Sequence, residues 1–345
     1  MKETKQIEIL NFINNHANCS SGEIFKEFAY SISYATVKRI LTQLQTDKFI
    51  ISEGKGKGTR YLISPSYELL YSINLDSYFE KEIDERHIKE NFNIEIFELL
   101  DKTEIFSKTE LLKLTNLQTK YIDNISQLSE LEYKKELERL AIDLSWKSSQ
   151  IEGNTYSLLE TERLLKDKET AAGKTKEEAI MLLNHKDTLD FLVENTDYLI
   201  PLSISKIEDI HSLLIKDLAV DKHLRKRRVG ISGTNYRPLE SEFQIREALE
   251  LACNLVNKKE NIFEKALLVL VLISYIQPFM DGNKRMARIV SNAILMNYKY
   301  CPISFRTVDS IDYKKAMLLF YEQNNISRFK EIFINQFEFA VKTYF

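Results

Sequence analysis

The chain has 345 residues, with 48 Lys or Arg against 51 Asp or Glu, 44% hydrophobic residues, and only nine Gly and five Pro. Near-balanced charge with that apolar fraction excludes a disordered, collagenous or low-complexity protein, and the length accommodates two or three domains. Cys19, Cys253 and Cys301 stand far apart with no CxxC pair, which argues against a disulfide framework or zinc knuckle and for a reducing compartment.

The N-terminal segment has a charged start but no apolar stretch followed by a small-residue cleavage site, so it does not read as a signal peptide. Ile7, Ile9, Leu10 and Ile13 recur at helical spacing, and Ser20 or Ser21 can cap a short second helix carrying Ile24, Phe25 and Phe28. A third helix is expected from about Ser33 through Val37, Ile40, Leu41 and Leu44, leaving Lys38 and Arg39 on its free face. Phe49-Ile50-Ile51 and Tyr61-Leu62-Ile63 then flank a glycine- and lysine-rich loop, Glu53 to Arg60, which reads as a hairpin with a basic tip.

Three helices and a basic hairpin over residues 1–66 resemble a winged helix-turn-helix domain. On DNA, the third helix would enter a major groove with Lys38 and Arg39, while Lys55, Lys57 and Arg60 would reach phosphates. The segment holds nine Lys or Arg against six Asp or Glu, whereas the remainder holds 39 against 45, a modest asymmetry. Docking of a protein is the other reading of the same module.

Residues 67–100 form a connecting region with Tyr67, Leu69, Leu70 and Tyr71 at its start. From 101 to 345 nearly every segment is periodic at three to four residues, which predicts a helical domain. Helices are expected over 111–131, 133–148, 157–165, 176–193, 205–218, 242–256, 263–277, 284–296 and 312–323. The most apolar run, Ala266 to Ile276, is about half the roughly 20 residues needed to cross a bilayer, so it is expected to be a buried core helix and the protein soluble and cytoplasmic. Phe329, Phe333, Phe337, Phe339 and Phe345, spaced mostly at four, suit either a helix core or an oligomer contact, which leaves a homodimer open.

The segment Ile276-Gln277-Pro278-Phe279-Met280-Asp281-Gly282-Asn283-Lys284-Arg285-Met286-Ala287-Arg288 carries the chemistry. An all-apolar helix ends at a proline, a short loop follows, and a second helix begins with Arg285 and Arg288 three residues apart on one face. Free N–H groups at a helix N-terminus, its dipole and two guanidinium groups favour phosphate. Gly282 lets backbone approach such a ligand, and Asp281 offers a hard oxygen to a magnesium ion bridging phosphates.

This segment resembles the signature of the Fic (Fido) family, His-Pro-Phe-x-Asp/Glu-Gly-Asn-Gly/Lys-Arg-x-x-Arg. Ser148-Ser149-Gln150-Ile151-Glu152-Gly153 resembles the family's inhibitory Ser/Thr-x-x-x-Glu-Gly/Asn motif, here on a helix around 141–154. Arg228 to Pro238 resembles its flap, a β-hairpin beside the active site, with Thr234 and Tyr236 among the flap residues. The resemblance implies a mainly α, Fic-type domain that transfers AMP from ATP to a hydroxyl of a target protein with magnesium. Asp281 would then hold the metal, Gly282, Asn283, Lys284, Arg285 and Arg288 would bind nucleotide, and Glu152, next to Ser148 and Gly153, would be a brake paired with Arg288.

Two positions depart from that pattern. Gln277 stands where the family has its catalytic His, and an amide cannot act as a general base near neutral pH. General-base catalysis is typically worth about 10² to 10⁴ in rate, so weak activity or none is expected. A nucleotide-binding pseudoenzyme, a different transfer chemistry and a single-residue change all fit. Lys284 replaces a common Gly and also occurs in relatives that transfer the γ-phosphate, which leaves kinase-like phosphotransfer as an alternative, alongside a DNA-binding regulator whose helical domain senses nucleotide. His185 and His211 lie on other predicted elements and are not expected to replace the missing base.

Overall fold

The computed structural model describes residues 2–345, so Met1, the first residue of the predicted 1–66 module, lies outside it. A first compact unit runs through Ile73 and a second from Asn74 to Phe345. The molecule is mainly helical, and its one sheet among the described residues is a two-stranded hairpin.

The first unit contains α1 (Lys2–Asn15), α2 (Ser21–Phe28), α3 (Tyr34–Thr46), β1 (Ile50–Glu53), β2 (Arg60–Ile63) and the short α4 (Tyr67–Leu70). Ser20 rather than Ser21 is the cap of α2. Its side chain accepts the Glu23 N–H while the Glu23 carboxylate accepts the Ser20 N–H, so two otherwise orphaned donors are satisfied. Ile9, Ile13, Ile24, Val37 and Leu41 form the core, and β1 pairs with β2 from Ile50↔Ile63 to Glu53↔Arg60. Gly54 is needed at the tip: its φ is 78° and an added Cβ would lie 2.6 Å from the Gly58 carbonyl oxygen. Tyr67 and Tyr71, expected in a connecting region, pack edge-on against Phe49 of this core.

The second unit contains α5 (Leu75–Phe79), α6 (Ile96–Lys102), α7 (Lys108–Ser126), α8 (Glu130–Ile151), α9 (Leu158–Asp167), α10 (Lys176–Glu194), α11 (Ile204–Leu214), α12 (Glu242–Lys258), α13 (Ile262–Ile276), α14 (Asn283–Asn297), α15 (Ser310–Gln323) and α16 (Ser327–Thr343). Every residue of α13 from Phe263 to Ile276 is buried, because α12, α14, α15 and α16 all pack around it. That explains its lack of a polar face. Phe329, Phe333 and Phe337 of α16 are fully buried, taking the core alternative for the phenylalanine run. No helix among the described residues is long and apolar enough to cross a membrane.

Two expectations change. The helix predicted over 111–131 stops at Ser126, because Ser129 and Glu132 form a capping box that starts α8 at Glu130. The 228–238 segment is a loop with a turn at Ser232-Gly233, not a paired hairpin. Its backbone partners come from upstream: Arg86 Nη2 donates to the Gly233 carbonyl (2.8 Å), and the Arg237 N–H donates to the Glu90 carbonyl (2.6 Å). Strand pairing across the loop is thereby replaced.

Candidate active site

The α13–α14 junction is built by two left-handed residues. Gln277 ends α13 with φ 51°, and Gly282 precedes α14 with φ 83°. Glycine reaches that region freely, whereas a glutamine held there stores strain of order 1 kcal/mol, a cost found at functional sites. Between them, Asn283 ties the loop to itself: its Oδ1 accepts the Phe279 N–H (2.8 Å) and its Nδ2 donates to the Phe279 carbonyl (2.8 Å). Asn283 is therefore spent on shaping the loop, and only its backbone is left to line an anion site.

Gln277 is equally committed. Its Nε2 donates to the Ser274 carbonyl (2.6 Å) and the Tyr321 hydroxyl (3.2 Å), and its Oε1 accepts from Asn283 Nδ2 (3.1 Å). The Tyr321 hydroxyl donates in turn to the Ser274 carbonyl (2.9 Å), and burial pushes this phenol well above its ordinary value. Neither group is a base at neutral pH.

The cationic wall comes from α14. Arg285 and Arg288 are 1% and 0% exposed. Arg288 donates through Nε to Ser148 Oγ (2.9 Å) and through Nη2 to the Ser148 carbonyl (2.9 Å) and Glu152 Oε1 (2.9 Å). Lys284 Nζ lies 3.5 Å from the other Glu152 oxygen, so the carboxylate is shared between two cations. Glu152 is the C-cap of α8, with Gly153 following at φ 102°. A carboxylate is disfavoured at that end of the helix dipole, and the two cations offset the cost. Burial pushes the Glu152 carboxyl up, but Arg288, followed by Lys284 and Arg285, outweighs it and holds the group below the usual glutamate range.

Arg285 Nη2 donates to Asp281 Oδ2 (3.0 Å), whose side chain is 61% exposed. Arg285 Nε and Nη1 and Arg288 Nη1 are buried without a hydrogen-bond partner, as is His185 Nε2, whose Nδ1 faces Ser145 Oγ (3.1 Å). Burial, then the charges of Arg288 and Arg285, push the His185 imidazole well below its ordinary value. Guanidinium nitrogens buried without an acceptor at the start of a helix, Arg285 Nε and Nη1 among them, fit a phosphate-bearing ligand, since a buried donor without an acceptor is costly. Among the described residues no cluster of three or more His, Cys, Asp or Glu could hold a metal. A single carboxylate such as Asp281 could contribute one oxygen to a magnesium ion that takes the rest of its shell from phosphates and water.

A cavity of about 370 Å³ at this junction is lined by Glu152, Gln277, Lys284, Tyr313 and Tyr321, together with Gly230, Ile231 and Ser232 of the 228–238 loop. The loop residues singled out from sequence sit elsewhere. Thr234 Oγ1 accepts the Tyr236 N–H (3.1 Å), and Tyr236 is buried, stacked on Tyr275 and Tyr321. Lys38, Arg39, Lys55, Lys57 and Arg60 all belong to the first unit.

Sequence reasoning missed two residues that hold the junction from behind. Arg225, 1% exposed, donates through Nε to the Gln277 carbonyl (2.6 Å), and its N–H donates to the Pro278 carbonyl (3.0 Å). His211, fully buried on α11, stacks on Phe279 (3.7 Å between ring centres), with Nε2 2.9 Å from the Asp281 carbonyl oxygen and Nδ1 3.2 Å from that of Lys222. The signal for His211 was its place among the buried positions Ile207, Ile210 and Leu214; Arg225 had none.

The fold and junction together define a helical domain with two buried arginines at the start of α14. Residues 201–295 match the Fic/DOC family model, and this part of the chain is a Fic/DOC family domain. A stretch of 173 residues is 28% identical to protein adenylyltransferase Fic of Nematostella vectensis, covering 48% of this chain and 40% of that protein. The chain thus spans less than half the length of this relative. In fold it is similar to Fic-1 from C. elegans, with a TM-score of 0.60 at 19% identity over 68% of this chain and 72% of the other. A Fic domain-containing signalling protein from Bacteroides thetaiotaomicron gives a TM-score of 0.58 at 20% identity over 67% and 95%.

Proposed function

We propose that this chain is a Fic-type protein adenylyltransferase, restrained by Glu152 and weak or inactive because Gln277 replaces the base. In AMP transfer a target hydroxyl attacks the α-phosphorus of ATP, pyrophosphate leaves, and the hydroxyl proton must be taken up. The observation that carries the reading is the junction itself: Arg285 and Arg288 buried at the start of α14, with Arg285 Nε and Nη1 left without an acceptor and the Glu152 carboxylate on Arg288. Arg285 and Arg288 would hold phosphates, Lys284 would add a third cation, and Asp281 would bind the magnesium that accompanies them. Magnesium would neutralise charge on the phosphates during transfer.

Glu152 accounts for restraint, because a carboxylate on Arg288 occupies the group that would orient the γ-phosphate. Gln277 accounts for slowness, because all its polar atoms are engaged within the protein and an amide takes no proton near pH 7.

The test incubates the protein, its Gln277→His form and the Gln277→His plus Glu152→Gly double form with magnesium and ATP labelled at the α- or γ-phosphate. Label from the α-phosphate, strongest in the double form, is expected. Label from the γ-phosphate would replace AMP transfer by kinase-like phosphotransfer, and no label in any form would overturn both.

A second reading concerns the first unit, for which we infer a winged helix-turn-helix that contacts DNA. Tyr34, Lys38, Arg39, Thr42 and Gln43 are exposed along one side of α3, Tyr30 is fully exposed in the turn before it, and Lys55 and Lys57 are exposed at the hairpin tip. Hydroxyl, amide and cationic groups on one helix face suit base edges and phosphates. Retardation of duplex DNA that weakens as salt rises is expected; no binding at low salt would leave protein docking as the role of this unit.

A further inference from the structure

The Asp281–Gly282 peptide can present either of two opposite dipoles to a ligand at the start of α14. In a planar trans peptide the carbonyl and the following N–H point in opposite directions, so fixing one fixes the other. Gly282 makes the alternative orientation cheap, since glycine populates positive and negative φ about equally. Rotating this peptide would exchange the Gly282 N–H for the Asp281 carbonyl, replacing a donor by an acceptor where a phosphate needs donors.

His211 opposes that rotation. Its Nε2 is 2.9 Å from the Asp281 carbonyl oxygen and carries the single proton of a ring that burial keeps neutral, and stacking on Phe279 fixes the ring plane, while Nδ1, 3.2 Å from the Lys222 carbonyl, donates nothing. Arg225 treats the start of the same loop alike, taking the Gln277 carbonyl with Nε and the Pro278 carbonyl with its N–H. The Phe279 N–H, on the far side of the second of these peptides, meets Asn283 Oδ1 as the geometry requires. The Gly282 N–H, on the far side of the Asp281 carbonyl, has no partner among the described residues.

We propose that His211 is a positioning residue that locks the Asp281–Gly282 peptide plane, keeping the Gly282 N–H aimed at a bound phosphate. The inference rests on the nucleotide-binding reading above, and the test separates the two. ADP is the probe, because it lacks the γ-phosphate that Glu152 would exclude, with adenosine as the phosphate-free control and pyrophosphate as the nucleoside-free one.

In the 345-residue chain, His211→Phe keeps an aromatic ring for Phe279 and removes both ring nitrogens. ADP affinity is expected to fall tenfold or more while adenosine affinity is unchanged, and His211→Gln, whose amide can donate to the Asp281 carbonyl, is expected to recover part of the loss. Equal loss for ADP and adenosine, or no loss, overturns the lock. Should His211→Phe not fold, ¹⁵N-glycine labelling of the parent, with nine glycines to resolve, reads the same bond. The Gly282 amide, assigned by its disappearance in Gly282→Ala, must shift on adding ADP or pyrophosphate, and an unmoved signal overturns the proposal. Pyrophosphate binding that depends on His211 without any ADP binding would end the nucleotide reading and keep the lock; binding of neither ends both.

Discussion

The cations of the α13–α14 junction and those of the first unit carry the same formal charge under opposite conditions. Arg285 and Arg288 are buried, and a guanidinium in that position demands either a paired anion or a ligand that supplies one. Lys38, Arg39, Lys55 and Lys57 are exposed, where a charge costs nothing to keep. Burial therefore turns an arginine into evidence about chemistry, while exposure leaves a lysine compatible with several roles.

The sharpest test of that contrast removes a buried cation. Arg288→Ala would leave Glu152 with only Lys284 and strip Ser148 of two hydrogen bonds, so a loss of about 3 to 5 kcal/mol in urea unfolding is expected. A loss below about 1 kcal/mol would show that the junction is far wetter than its burial implies.

Next in size is the response to acid. His185 is buried against Ser145 with its imidazole pushed well below its ordinary value, so the folded protein binds this proton less readily than the unfolded chain does. The stability it permits is complete above about pH 6.5 and falls as pH drops below that value toward the folded pKa, by at most about 1.4 kcal/mol per pH unit. Urea midpoints from pH 7.5 to 5.5 should show the decline and His185→Gln should flatten it; equal slopes in both proteins would remove His185 as the cause.

Glu152 loses its contribution in the same direction, on acidification, but in a lower pH window. Its carboxyl is depressed, so its pairing with Arg288 and Lys284 is complete above the ordinary glutamate pKa of about 4.3 and is lost only as pH falls through the lower folded value. In the Gln277→His background, the activation produced by Glu152→Gly should be the same at pH 6 and pH 8. A brake that weakens between those values would have to depend on another group.

How much of this was legible in the sequence follows from how far each interaction reaches along the chain. Local chemistry was readable: the all-apolar α13, the Asp281-Gly282-Asn283 turn and the arginine spacing on α14 are all set within a dozen residues. The Glu152–Arg288 contact spans 136 residues and was legible only through the family resemblance, which supplied the pairing. Lys284's approach to the same carboxylate was not, because no periodicity fixes where a long flexible side chain ends. His211 and Arg225 act on the loop across 70 and 52 residues through backbone carbonyls, which carry no sequence signature. The 228–238 segment misled for a related reason: the family resemblance implied a hairpin, but Glu90 and Arg86 supply its backbone partners.

The smallest expected stability effect belongs to the first unit and tests the other half of the comparison. Lys55 and Lys57 sit at an exposed tip whose geometry is set by Gly54, so alanine at either should change stability by no more than about 0.5 kcal/mol. If the tip reaches phosphates, each substitution should instead weaken duplex binding about equally on every sequence and lower the slope of log affinity against log salt by about 1. Lys38 and Arg39 on α3 should differ from the tip, because a side chain on a groove-entering helix discriminates between bases, at about 1 to 3 kcal/mol for a good bidentate contact. A uniform effect at all four positions would make the unit a nonspecific anion surface, and a silent salt slope at Lys55 and Lys57 would take the tip off DNA altogether.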